Sequence, residues 1–311
     1  MTTPPLRRLG AAGALAATLA FASCRRERGT PPAAPPRAPV LIQVAGAGLN
    51  APESVLYDSA ADTYLVSNIA GNAFAKDDNG FIARLAPDGR VATLKWIAGG
   101  ARGVTLNGPK GMGLKGDTLF VADIGVVRLF DRRTGAPLAS VAIPGATFLN
   151  DVAIGPDGTV YLTDTGLQPP GSGSPVSGAD ALWKLGPGHR PVAIARGADL
   201  GGPNGILADS GGVTMVTLGS GRVFHFDAAG NRTELPRPPK GGLDGIVRLP
   251  DHALLITSWE GAAVYRLAPG GAYSVAVAGV TSPADIGWDP TRHLLLIPQL
   301  TLNQVQIREL R

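Results

Sequence analysis

The sequence predicts an all-β chain: a six-bladed β-propeller closed by an N-terminal strand. Three observations predict it. Gly (43) and Pro (27) are abundant in a chain of 311 residues that is 44% hydrophobic, which suits many short strands joined by turns. A unit of constant order recurs six times. The sixth copy ends before its fourth strand, and a strand without a unit precedes the first copy.

Each unit opens with a Pro/Gly/Asn/Asp cluster running into an apolar strand: APES (51–54), GPKG (108–111), FLND (148–151), GPNG (202–205), GLDG (242–245) and SPAD (282–285). A second strand follows: YLVSN (64–68), LFVAD (119–123), VYLTD (160–164), TMVTL (214–218), LLITS (254–258) and LLLIPQ (294–299). Third strands run into turns at 81–89, 126–135, 182–188, 222–230, 263–271 and 304–310. Alternation in FIARL, VFHFD and VYRL marks them as half-buried. Fourth strands read VATLKW, PLASVAI, RPVAIA, RTELP and YSVAVA, and VLIQVAG (40–46) supplies the missing sixth. Pairing the two ends of the chain removes an exposed sheet edge.

Taking Glu53, Lys110, Asn150, Asn204, Asp244 and Asp285 as equivalent, the spacings are 57, 40, 54, 40 and 41 residues, which suits four-stranded blades. The extra length falls after the second strands of units one and three, at 69–80 and 165–180. Both insertions lie on one rim, where long loops form a mouth or lid.

The region before the propeller reads differently. Residues 1–23 form an export signal: Arg7 and Arg8 precede an uncharged stretch shorter than the ~20 residues of a spanning helix. The stretch ends Ala22-Ser23-Cys24, which resembles a bacterial lipobox. Lipidation at Cys24 would tether the mature chain to a membrane of the bacterial envelope, in the periplasm or on the cell surface. An ordinary signal peptide with an incidental cysteine is the alternative. Residues 24–39 are a Pro-rich tether, and 40–311 is the propeller. The single Cys excludes a disulfide framework and a cysteine-based zinc site.

Charge excludes another class. Of 28 Lys+Arg and 24 Asp+Glu, six basic residues and one acidic residue precede position 40. The body is therefore close to neutral, without the clustered basic patch that a nucleic acid requires.

The first strand of each blade lines a propeller's channel, so the six equivalent residues meet at one axial spot. Glu53, Asn150, Asn204 and Asp244 offer only oxygen, a donor set for one hard divalent cation such as Ca²⁺, Mg²⁺ or Mn²⁺. Taken singly, Asn204-Gly205 and Asp244-Gly245 are tight-turn dipeptides. Their shared register favours a site. Lys110 and Asp285 face the axis too, either paired with each other or binding substrate. Trp259, ending a second strand near the rim, is the tryptophan placed to touch a ligand. His189, His252 and His293 fall in turns and His225 in a third strand, without metal-ligand spacing.

The chain resembles the family of senescence marker protein, gluconolactonase and luciferin-regenerating enzyme. The carriers are PES (52–54), LNDVAIGPDGTVYLTDTG (149–166), GPNGILAD (202–209) and LDGIVRLPDHALLITSWEG (243–261). The resemblance implies one divalent metal, Ca²⁺ first and Mn²⁺, Mg²⁺ or Zn²⁺ otherwise, held by Glu53, Asn204 and Asp244. It implies Asn150 at metal or substrate, and lactone hydrolysis with Asp244 also accepting a proton. Phe148 stands where sugar-lactone members carry Arg, which argues against a sugar-acid substrate. The expectation is an exported, metal-dependent hydrolase of a lactone or related ester. The alternative is a non-catalytic envelope propeller that binds a ligand or protein partner.

Overall fold

Adjacent residues of one strand are buried against different blades. Tyr64 and Val66 pack with Leu294, Leu296 and Val305, whereas Leu65 packs with Met112, Leu119 and Val121. Side chains alternate between the two faces of a strand, and a strand covered on both faces reads as a continuous apolar run. The second strands Thr63–Asn68, Thr118–Asp123 and Leu254–Ser258 are of this kind.

The computed structural model describes residues 40–172 and 176–310. The expected signal, tether and Cys24 lie outside the described residues. Those described form six antiparallel four-stranded sheets, five of them running outward in chain order. The sixth takes its outermost strand, Leu41–Val44, from the other end of the chain. It pairs with Gln304–Glu309, with Leu41 opposite Arg308 and Val44 opposite Val305.

Six apolar clusters fill the spaces between successive blades, one of them between blades six and one. The arrangement is a six-bladed propeller. Polar links join blades as well: the Tyr64 hydroxyl donates to Asp289 at 2.8 Å, and Arg132 pairs with Asp58. Among the described residues no helix is long and apolar enough to cross a membrane.

Candidate functional site

Five of the six inner strands carry the same β-bulge. Pairing with the second strand slips between Pro52 and Val55, Pro109 and Met112, Leu149 and Val152, Pro203 and Ile206, and Leu243 and Ile246. A bulge re-aims the side chains within it. Inside these five lie Glu53, Lys110, Asn150, Asn204 and Asp244, all buried. The structure thus places five of the expected axial residues at one equivalent position.

Blade six corrects the sixth. Pro283 bridges Gln299 as Pro52 pairs with Asn68, and the residue after Pro283 is Ala284. Thr257 Oγ1 donates to Ala284 O at 3.0 Å, as Thr163 Oγ1 donates to Asn204 O at 2.6 Å. Asp285 therefore stands one residue deeper than expected, level with Asp151. Nor does it pair with Lys110. Asp285 Oδ2 accepts from Ser54 Oγ at 2.5 Å, while Lys110 Nζ donates to Gly108 O at 3.0 Å and lies 4.0 Å from the Phe148 ring centre.

The glycines of Asn204-Gly205 and Asp244-Gly245 lie in strands, not tight turns. A Cβ on Gly205 would collide with Asp244 O, and one on Gly245 with Ile286 N. Glycine is required because neighbouring inner strands close in there. The last residue of the second strand then fixes the backbone that leads into the inner one. Asn68 Oδ1 accepts from Asn50 N, Asp123 from Asn107 and Gly108 N, and Asp164 from Thr147 and Phe148 N.

The following residue reaches the axial ring. Backbone N–H groups of Ile69, Thr165, Leu218, Trp259 and Leu300 donate to carbonyls of Ala51, Phe148, Gly202, Gly242 and Ser282. Each acceptor lies two residues before the axial position of its blade, which again makes Ala284 the sixth. Thr165 Oγ1 accepts from Asn150 Nδ2 at 2.8 Å, and the Trp259 indole donates to Asp244 Oδ2 at 2.7 Å.

The blade-one insertion covers part of this mouth. Asp78 ties it to blade two, accepting from Leu106 N at 2.9 Å and donating its own N–H to Asn107 Oδ1 at 3.2 Å. Ala73 O passes close over Gly108. The Phe74 ring then packs at a tilt against Phe148 of blade three, with centres 4.8 Å apart. Lys110 is only 1% exposed.

Three ring atoms are buried without a hydrogen-bond partner: Glu53 Oε2, Asn204 Oδ1 and Asp244 Oδ1. Most buried polar atoms in folded proteins are paired, and these oxygens have unused acceptor capacity. Burial raises Glu53 well above the usual carboxylate range; Asp244 and Asp285 add to this, and the Lys110 ammonium opposes it. Burial, then Asp285, pushes Asp244 up to about 8 against the Trp259 bond. Burial likewise pushes Lys110 down, with Glu53, Asp123 and Asp164 resisting.

Among the described residues no three His, Cys, Asp or Glu side chains gather into a metal-binding group. The candidate set is instead mixed: two carboxylates and an amide, each leaving one oxygen unsatisfied, with Asn150 alongside. Hard oxygen donors carrying two negative charges fit one hard divalent cation. Such a charge also favours the ionised form of carboxylates that burial otherwise protonates.

Sequence reasoning missed three residues near this site. Asp151 is buried and raised well above the usual range, by burial and then by Asp285. Its signal is the tandem Asn150-Asp151, in which the register makes only the first residue axial. Thr165, which orients Asn150, follows the strand end Asp164 directly. Phe74 left no signal beyond its place in an insertion.

No protein-family model matches the chain, and no curated protein matches it. Solved structures share its fold. A gluconolactonase from Xanthomonas campestris is 17% identical at TM-score 0.66, over 88% of this chain and 90% of that one. A calcium-binding regucalcin from Agrobacterium tumefaciens is 15% identical at TM-score 0.60, over 83% and 89%. A catalytically inactive variant of virginiamycin B lyase from Staphylococcus aureus is 12% identical at TM-score 0.61, over 88% and 100%. The likeness includes a gluconolactonase, as the motifs suggested, and at these identities it establishes the six-bladed fold.

Proposed function

We propose that the chain is an exported hydrolase that opens a lactone or related ester at the channel mouth with one divalent cation, Ca²⁺ first. One observation carries this reading. Three blades place Glu53, Asn204 and Asp244 at the same bulge, each with a buried oxygen lacking a donor. Likeness to a gluconolactonase and to a calcium-binding protein supports the reaction class and the cation.

Held by Glu53, Asn204 and Asp244, the cation would supply a Lewis acid to polarise the ester carbonyl. The chain's residues account for the proton. Trp259 donates to Asp244 Oδ2 and holds the carboxylate in place, and this carboxylate would accept a proton as water oxygen adds to the carbonyl carbon. That proton passes to the departing ester oxygen as its bond to the carbonyl carbon breaks, giving a hydroxy acid from a lactone. Thr165 holds the Asn150 amide beside the reacting group.

Lyase chemistry of the virginiamycin type fits less well. The inactive lyase variant replaces a histidine, and here the four histidines are placed elsewhere. His189 packs on Phe120, His293 on Trp288, His225 bonds Thr214, and His252 lies in a turn.

Calorimetric titration of Ca²⁺ and Mn²⁺ into the chelator-treated chain tests the site. One bound ion, lost in Glu53→Gln, is expected. No binding, or unchanged binding in the variant, would leave the non-catalytic envelope propeller. Export and anchoring rest on residues 1–39. Cys24→Ser is expected to move the protein from the membrane to the soluble fraction, and a variant that stays with the membrane would remove the anchor.

A further inference from the structure

We infer that the mouth selects lactones and esters bearing an apolar ring or acyl substituent over polyhydroxylated ones. The inference deepens the hydrolase reading and rests on it.

The first argument is the shortage of accessible donors. Every side-chain nitrogen of the axial ring makes one hydrogen bond to the protein, and Lys110, Asn150 and Asn204 are no more than 4% exposed, so their remaining N–H groups are not presented on an open surface. Lys110 Nζ donates to Gly108 O, Asn150 Nδ2 to Thr165 Oγ1, and Asn204 Nδ2 to Leu243 O; the Trp259 indole beside them donates to Asp244. The oxygens left over are acceptors aimed at a cation. A polyol is recognised by several donors and acceptors placed together, and a hydroxyl taken from water without a partner disfavours binding. With the cation holding the carbonyl, this ring has little left for a row of hydroxyls.

The second argument is the surface around the ring. Five of the six positions that follow the second strands are apolar: Ile69, Ile124, Leu218, Trp259 and Leu300. Leu218, Trp259 and Leu300, on blades four to six, remain partly exposed. Opposite them, on blades one to three, Phe74 packs at a tilt on Phe148, whose ring lies 4.0 Å from the Lys110 ammonium. A substituent next to the ester carbonyl therefore meets aromatic and aliphatic carbon on both sides. Each methylene fully buried in such a place strengthens binding about fourfold.

The test measures kcat/KM of the full chain with Ca²⁺ on δ-valerolactone, δ-decalactone and glucono-δ-lactone, for wild type, Phe74→Ala and Phe74→Leu. δ-Decalactone is expected to exceed glucono-δ-lactone about a hundredfold, given its pentyl chain. Phe74→Ala is expected to lose about tenfold on δ-decalactone, mainly through KM, and clearly less on δ-valerolactone, with Phe74→Leu recovering most of the loss. Equal values for sugar and alkyl lactones, or an equal loss on all three in Phe74→Ala, would overturn the inference. A chain that hydrolyses none of them fails as a lactonase. Calorimetry with the inert lactams then decides about the mouth. Tighter binding of 6-pentylpiperidin-2-one than of piperidin-2-one, weakened by Phe74→Ala, sustains the apolar mouth; equal or absent binding overturns it.

Discussion

At the mouth, Glu53, Asn204 and Asp244 each leave a buried oxygen without a donor. One residue deeper, on the inner strand of blade three, Asp151 accepts the N–H of Val152 at 2.6 Å and of Ile206 at 2.8 Å. Asp285 at that level accepts the Ser54 hydroxyl. Both rings hold buried carboxylates, and burial raises Asp151 and Asp285 as it raises Glu53 and Asp244. A raised pKa therefore does not separate them. What separates them is the supply of donors. The deeper ring lies where an adjoining blade brings its backbone in, and Gly111 leaves the space that Asp151 occupies. At the mouth ring no donor reaches the free oxygens of Glu53, Asn204 and Asp244. Unused acceptor capacity, more than burial or a shifted pKa, marks the place for a ligand.

Substituting one residue from each ring is the strongest way to break the comparison. Asp244→Asn is expected to lower ester or lactone hydrolysis by at least about a thousandfold, because the proton acceptor is gone. Its melting temperature in chelator should be unchanged or higher, since an ionisable group disfavoured by burial is removed. Asp151→Asn is expected to keep activity and to be less stable than Asp244→Asn, because both variants lose a carboxylate disfavoured by burial but only this one loses a matched donor. Its amide turns an NH2 group toward either the Val152 or the Ile206 N–H, leaving one buried donor unsatisfied at about 1–3 kcal/mol. For a domain of this size that lowers the melting temperature by about 2–4 °C per kcal/mol. Calorimetry and activity on both variants check this. A stable, inactive Asp151→Asn beside an unfolded Asp244→Asn would invert the assignment of the rings.

The blades were legible because each is a local pattern: a Pro/Gly opening, a doubly buried strand and an alternating strand, repeated in order. Five axial residues were legible for the same reason, since the bulge sits at a fixed place in each pattern. Blade six misled because Ala284 puts no polar side chain at that place and the next residue is a carboxylate. The proline before the axial residue held the correct register. Pro283 stands where Pro52, Pro109 and Pro203 stand. Phe74 and Asp151 were beyond reach for different reasons. Phe74 meets Phe148 across blade two, a contact that no spacing encodes. The role of Asp151 depends on Ile206 N from the adjoining blade.

The smallest effect sharpens the comparison within the deeper ring. Burial pushes Asp285 up to about 7 from an ordinary 3.8, with the Ser54 hydrogen bond opposing. Below about pH 4 the folded and unfolded chains both hold this proton, so the residue does not alter stability. As pH rises toward 7 the unfolded chain releases the proton and the folded chain keeps it, and folding weakens until the folded group ionises as well. Asp285→Asn lacks this titration, and its amide oxygen can still accept from Ser54. In chelator, the variant should match wild type near pH 4 and exceed it by about 1–3 kcal/mol at pH 8. Part of that gain comes from Asp244, whose own rise is increased by the Asp285 charge. Urea unfolding at several pH values reads the gap directly. A constant offset at every pH would mean that packing around Ser54, not charge, governs Asp285, and the deeper ring would then be a structural layer without electrostatic coupling to the mouth.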